Sequence, residues 1–235
     1  MTSPAPPDDP RDAIIEAALG HVPFDGWSDS TLRAAAAEAG IAPALAEAMF
    51  PRGGVDLARA FHARGDRRML ERLRATDLSQ MRFRDRVATA VRYRLEAIDD
   101  REAARRGATL FALPRHAAEG AQAIWTTADL IWEALGDTSD DANWYSKRAI
   151  LSGVFSATFL FWLGDESADH AATWAFLDRR IEEVMRFEQA KGAANRNPLL
   201  RAALAGPLRA LSRVRPPARA RRDDLPGLTR LPPKG

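Results

Sequence analysis

The sequence predicts an all-α helical bundle, and three observations carry that reading. Ala- and Leu-rich segments repeat their apolar residues at three- and four-residue steps, while strand-like alternation of β-branched residues is almost missing. Hydrophobic residues make up 46% of 235, enough for a sizeable core in one large domain, or one domain plus a tail. Gly and Pro fall mostly between the periodic segments, where helices stop.

The first helix is expected near Arg11–Gly20, with His21 at its end, where an imidazole meets free carbonyls. The second spans Asp29–Glu38, with Ser30 as its cap and Gly40 as the glycine that follows it. A short helix, Pro43–Met49, precedes a long one, Val55–Ala75. Helices at Phe83–Ile98 and Arg101–Leu113 follow, and Pro114 then breaks the chain. His116–Leu135 ends at Gly136, and Asp140 or Asp141 caps the helix Asp141–Gly164. Beyond Arg148 that helix is apolar on nearly all faces, which places it inside the bundle. Ala168–Gln189 carries a packing stripe of Trp174, Leu177, Ile181 and Val184. Pro198–Val214 brings the count to about ten, with Pro207 kinking it.

The formal net charge of +2 hides an asymmetry. Residues 191–235 hold eleven Lys/Arg and two Asp/Glu, against 34 and 32 in the whole chain, so residues 1–190 carry 23 basic and 30 acidic groups. The body is acidic and the tail basic. Within the tail Leu200, Leu204, Leu208 and Leu211 recur at helical spacing beside Arg201, Arg209, Arg213 and Arg215. This basic stretch either keeps the chain in solution or lies in a membrane interface, where each cation contributes about 1 kcal/mol. Residues 1–9 and the Pro- and Arg-rich 216–235 are expected to be disordered. The chain thus divides into 10–62, 63–190 and 191–215 between its two loose ends.

Several chemistries lack their residues. Cysteine is absent, which removes disulfides, thiolate metal sites and thiol nucleophiles. His21, His62, His116 and His170 are scattered, with no His-Glu-x-x-His and no Glu-x-x-His. No phosphate-binding Gly loop and no Gly-x-Ser-x-Gly elbow occurs, so neither a catalytic residue nor a cofactor is expected. Asp165 to His170 reads as a solvated loop at a helix start rather than a metal site. No secretory signal or transit peptide is expected at the N-terminus. The longest apolar stretch, Ala149–Leu163, is about 15 residues, too short to span a bilayer.

Residues 28–61 read as a helix, a Gly turn, a short helix ending in Phe-Pro and a longer helix, and they resemble the helix-turn-helix of TetR-type regulators. The chemistry opposes DNA reading. Base edges and phosphates call for Arg, Lys, Asn or Gln, yet Pro43–Phe50 offers one charged group, Glu47.

Four segments carry a more specific resemblance. They are His21-Val-Pro-Phe-Asp-Gly-Trp27; Leu113-Pro114 with the helix reaching Asp129-Leu-Ile-Trp132; Asp141-Ala-Asn-Trp-Tyr-Ser-Lys-Arg148; and Thr173-Trp-Ala-Phe-Leu-Asp-Arg-Arg180. Over residues 11–190 the chain resembles the COQ9 family, lipid-binding accessory proteins of ubiquinone (coenzyme Q) biosynthesis with a TetR-like fold. The chain has Ala142 where an aromatic commonly precedes the Asn, and no presequence is evident, which suggests a bacterial member.

The resemblance implies a homodimer that catalyses nothing. It implies that the chain binds an isoprenoid quinone intermediate or a phospholipid and presents it to the demethoxyubiquinone hydroxylase. It further implies a cytoplasmic protein whose C-terminal amphipathic helix attaches peripherally to the inner membrane. Docking falls on Asp129, Ile131, Trp132, Trp144, Tyr145 and Arg148, with Trp144 read as either an exposed anchor or a half-buried aromatic cap. Leu151, Phe155, Phe159 and Trp162 form a stripe that either fills the core or lines a lipid cavity. Leu110, Phe111, Leu113, Ile124 and Leu130 would be the facing wall. The competing readings are a TetR-type transcriptional regulator, which would bind duplex DNA in a salt-sensitive way, and an enzyme acting on a quinone precursor.

Overall fold

The computed structural model describes residues 9–138 and 142–196, and the elements among them are helical. They are α1 (Pro10–Asp25), α2 (Asp29–Glu38), α3 (Pro43–Met49), α4 (Gly54–Ala75), α5 (Phe83–Glu96), α6 (Arg101–Ala112), α7 (Ala117–Ala134), α8 (Ala142–Leu163) and α9 (Ala171–Arg196). Single 3₁₀ turns at Pro114–His116 and Ala168–His170 lead into α7 and α9. The expected caps Asp140 and Asp141 and the tail helix from Pro198 lie outside the described residues.

Two details of the first helices differ from the sequence reading. α1 does not stop at Gly20 but runs through Pro23 to Asp25. A proline this near a C-terminus costs one backbone bond, and the buried Ala18 and Val22 on the same face hold the last turns down. Gly26, at φ 65°, ends the helix and donates its N–H to the Val22 carbonyl. His21 therefore sits inside α1 and meets Glu38 of α2 at 2.9 Å. The cap of α2 is Ser28 rather than Ser30: its hydroxyl oxygen accepts the Thr31 N–H at 3.1 Å. Gly40 takes the left-handed turn expected of it, with the Ile41 N–H reaching back to the Ala36 carbonyl.

The helices share two cores. Ile14, Ile15, Val22, Trp27, Leu32, Phe50 and Leu57 close a head from α1–α3 and the start of α4. Met69, Val91, Leu95, Ile131, Leu151, Phe155, Leu177 and Ile181 close a bundle from the rest of α4 through α9. Each such side chain contributes about 1.5–3 kcal/mol on burial. α4 runs unbroken across residue 62, so the head and the bundle share it. Trp27 joins them again, donating its indole N–H to the Ala103 carbonyl of α6 at 2.9 Å and packing 5.1 Å from the Phe61 ring. Gly54 lets α4 start against the turn before α2; a Cβ there would lie 2.4 Å from the Trp27 carbonyl oxygen.

α8 is less enclosed than its composition implies. Leu151, Val154, Phe155 and Trp162 are buried, but Leu160 is 63% exposed and Phe161 38%. Phe161 stacks on Phe176 of α9 at 4.6 Å between ring centres.

Candidate functional site

The small-residue face of α6 leaves space inside the bundle. Ala104, Gly107 and Ala108 look across to α4, α7 and α8, and a cavity of about 360 Å³ opens there. Phe61, Phe111, Ile124, Phe155 and Phe159 form most of its apolar wall, and the exposed Leu160 also lines it. Its polar lining comes largely from His62 and Arg64 of α4 and Arg94 of α5.

These polar groups are bound into a network. Arg94 donates from Nε to Asp66 Oδ1 at 2.6 Å, and both side chains are buried. Thr127 of α7 meets Asp66 Oδ1 at 2.8 Å and His62 Nε2 at 2.9 Å. Arg64 reaches Glu16 of α1 at 2.9 Å and Asp99 at 2.7 Å. Burial, with the Arg94 cation beside it, lowers the His62 pKa to about 4, so His62 is neutral near pH 7.

Of the nine residues expected around a lipid, the cavity gathers Phe111, Ile124, Phe155 and Phe159. The other five lie elsewhere. Leu110 packs against the head core, Leu113 is 40% exposed beside the Pro114 turn, and Leu130 packs on the bundle core. Leu151 borders a second cavity of about 390 Å³ between α5, α7, α8 and α9. Trp162 is core, beneath the Arg101 guanidinium at 5.0 Å. The α8 stripe extends roughly 16 Å at 1.5 Å per residue, and only its middle fronts the empty space.

The expected docking set divides by depth. Asp129, Trp132 and Tyr145 are half-buried. Ile131, Trp144 and Arg148 are buried, at 0%, 8% and 0% exposure, which corrects the expectation of Trp144 as an exposed anchor. The reason is a cluster the sequence reading did not assemble. Trp144 packs edge-on to Tyr145 at 4.8 Å and lies 6.0 Å from Trp125 of α7. Arg148 bonds Asp129, Asp137 at 3.1 Å and the Trp144 carbonyl. Its charge is paired from within the chain through Nε and Nη1, while Nη2 is buried without a hydrogen-bond partner among the described residues, and these bonds tie α8 to the end of α7.

Asp165 is buried rather than solvated. Its carboxylate accepts the Thr173 hydroxyl and N–H at 2.5 and 2.9 Å and the Ser167 N–H at 2.8 Å. These bonds, led by the Thr173 hydroxyl, push its pKa far below the usual carboxylate range. Among the described residues no group of three or more His, Asp or Glu is placed to hold a metal ion. None of the described helices is long and apolar enough to cross a membrane. The tail residues Leu200, Arg201, Leu204, Leu208, Arg209, Leu211, Arg213 and Arg215 lie outside the described residues.

The fold is of the TetR-like class. A solved TetR transcriptional regulator from Nitrosomonas europaea matches with a TM-score of 0.62 at 22% identity, over 74% of this chain and 98% of that one. At that identity the likeness concerns fold alone, and α3 here exposes Ala44, Leu45, Glu47 and Ala48, with no cation among them. The COQ9 family model matches residues 117–188, from the start of α7 into α9. "Ubiquinone biosynthesis protein COQ9, mitochondrial" of Drosophila melanogaster is 33% identical over 199 residues, 79% of this chain and 61% of that protein. The protein of the same description from Rattus norvegicus is 32% identical, over 73% of this chain and 57% of its own length. The one from Homo sapiens is 30% identical, over 73% and 56%. The chain belongs to the COQ9 family. It spans about three fifths of the length of these relatives.

Proposed function

We propose that this chain serves ubiquinone biosynthesis by holding an isoprenoid quinone intermediate in the α4–α8 cavity and presenting it to the demethoxyubiquinone hydroxylase, without catalysing a step itself. The observation that carries this reading is the cavity: an apolar wall rich in aromatic rings in a protein whose relatives are described as ubiquinone biosynthesis proteins. A ligand that binds the folded chain and not the unfolded one stabilises it by mass action, so a resident lipid is stabilising. At about 360 Å³ the space is at the small end of ligand pockets, roughly 300–1,000 Å³. It takes a head group and the start of a chain, and the remainder leaves past the exposed Leu160.

The hydroxylase docks on the surface around Asp129, Trp132 and Tyr145, whose shape is set from beneath by Ile131, Trp144 and Arg148. Residues 198–215 bring the chain to the membrane through their Leu and Arg pattern. The working unit is a homodimer. Native mass spectrometry with lipid extraction tests the central statement. An isoprenoid quinone present near one per protomer supports it. A lipid-free protein that shifts duplex DNA at physiological salt overturns it in favour of a regulator.

A further inference from the structure

Among the described residues, the cavity wall holds a buried guanidinium with a donor nitrogen that the protein itself does not use. Arg94 is 2% exposed and forms part of the lining. Its Nε is taken by Asp66 at 2.6 Å and its Nη2 by the His62 carbonyl at 2.9 Å. Its Nη1 makes no hydrogen bond among the described residues. Gly65 clears the place where this atom sits: a Cβ at residue 65 would lie 2.5 Å from Nη1 and 2.8 Å from Cζ. On another side the Phe155 ring centre stands 5.7 Å from Cζ. An acceptor supplied by a ligand oxygen would give this cationic N–H a charge-assisted hydrogen bond in an otherwise apolar wall.

The charges around the donor decide which acceptor suits it. Asp66 neutralises Arg94. Arg64, the other cation of the lining, is neutralised by Glu16 and Asp99. His62 is uncharged near pH 7. A carboxylate or phosphate entering here would leave its water behind, find no unpaired countercharge and come close to the Asp66 anion. A carbonyl, hydroxyl or ether oxygen on an uncharged head meets none of these penalties and accepts from Nη1 equally well.

We propose that Arg94 Nη1 is the head-group contact of this cavity, so that the cavity selects uncharged lipids bearing an oxygen on a compact head and excludes anionic ones. This rests on reading the cavity as a lipid site. Arg94 then determines specificity, while the Phe111, Ile124, Phe155 and Phe159 wall supplies affinity for any apolar chain.

The test uses the full chain at pH 7.5 and three probes with one alkyl chain: a decyl-substituted dimethoxybenzoquinone, decylbenzene and 4-decylbenzoate, each titrated calorimetrically. The quinone is expected to bind at least about tenfold more tightly than either of the others. Arg94→Lys keeps the charge opposite Asp66 but loses the planar fork of donors. It should bring the quinone down towards decylbenzene while leaving decylbenzene within about twofold. Equal binding of quinone and decylbenzene by the wild type overturns the head-group contact and leaves the lipid cavity standing. Tightest binding of 4-decylbenzoate overturns the selection against anions. Binding of none of the three overturns the lipid cavity itself, and this inference with it. If Arg94→Lys fails to fold, the order of the three probes on the wild type still decides for or against selection, and Gly65→Ala, whose new methyl displaces the guanidinium, replaces it as the variant. Full quinone preference in a folded variant overturns the assignment to Arg94.

Discussion

The guanidinium of Arg148 lies 3.9 Å from the centre of the Trp144 ring, and both side chains are buried. One turn of α8 separates them. Arg148 also binds Asp129 and Asp137, so a single cation holds the end of α7, the Gly136 turn and the first turns of α8 together.

Arg148→Ala should therefore appear first as a loss of stability. Asp137, its side chain 3% exposed, loses this partner but keeps Lys147 at 2.7 Å, so the cost is that of the lost charge-assisted hydrogen bonds, about 1.5–3 kcal/mol. Denaturant unfolding measures the loss. Tyr145→Ala, at a half-buried neighbour, should cost less while weakening capture of the hydroxylase. Wild-type stability in Arg148→Ala would contradict the structural role described for it.

Ala108 lines the cavity and is only partly buried. Ala108→Trp should fill the space and lower co-purified lipid at least tenfold, at a cost to stability of about 1–3 kcal/mol from overpacking. Lipid extraction followed by mass spectrometry reads the first effect and thermal unfolding the second.

His62 gives the fold an acid-sensitive component. Its pKa of about 4 is below its ordinary 6.5, so between those values the unfolded chain binds a proton that the folded chain refuses. The stability His62 contributes is complete above about pH 6.5, falls as pH drops towards 4 and changes no further below. The loss is at most about 3 kcal/mol. Unfolding midpoints at pH 7.5 and 4.5 should fall less in His62→Asn than in the wild type.

Gly54→Ala should destabilise the head by several kcal/mol, because its methyl group meets the Trp27 carbonyl and the Ser28 backbone, which cannot move aside like a flexible side chain. Gly20→Ala, where a Cβ meets nothing within 4 Å, is the matched control and should be neutral or stabilising by up to about 1 kcal/mol. Circular dichroism melts compare the two.

Arg201, Arg209, Arg213 and Arg215 changed together to Gln should release the chain from anionic vesicles. At about 1 kcal/mol per cation, the loss exceeds tenfold and shrinks as salt rises. Cosedimentation with vesicles of mixed neutral and anionic phospholipid reads it, and unchanged binding would remove the tail from the membrane proposal.

Much of the fold was legible in the residues. The helical period of Trp174, Leu177 and Ile181 locates α9, and Gly40 and Gly136 stop α2 and α7 because each takes a positive φ that other residues resist. The cavity was half legible. Phe155 and Phe159 share a face by spacing, but spacing along one helix does not say where the opposite helix withdraws, so Leu151 and Trp162 were grouped with them. The polar end of the cavity was missed although it left a signal. His62 and Asp66 lie on the α4 stripe that continues through Met69 and Leu73, and Arg94 falls beside Val91 and Leu95 on α5. A charged residue in a core register announces a buried partner, but the sequence separation of 28 between Asp66 and Arg94 conceals which one.

Arg64 touches the cavity at one end and grips Glu16 of α1 at the other. The wall of the cavity and the surface of the head therefore share one side chain: the guanidinium that borders the space is anchored on α1 and on Asp99, so a substitution at position 64 would be felt both inside the bundle and on the outside of the head.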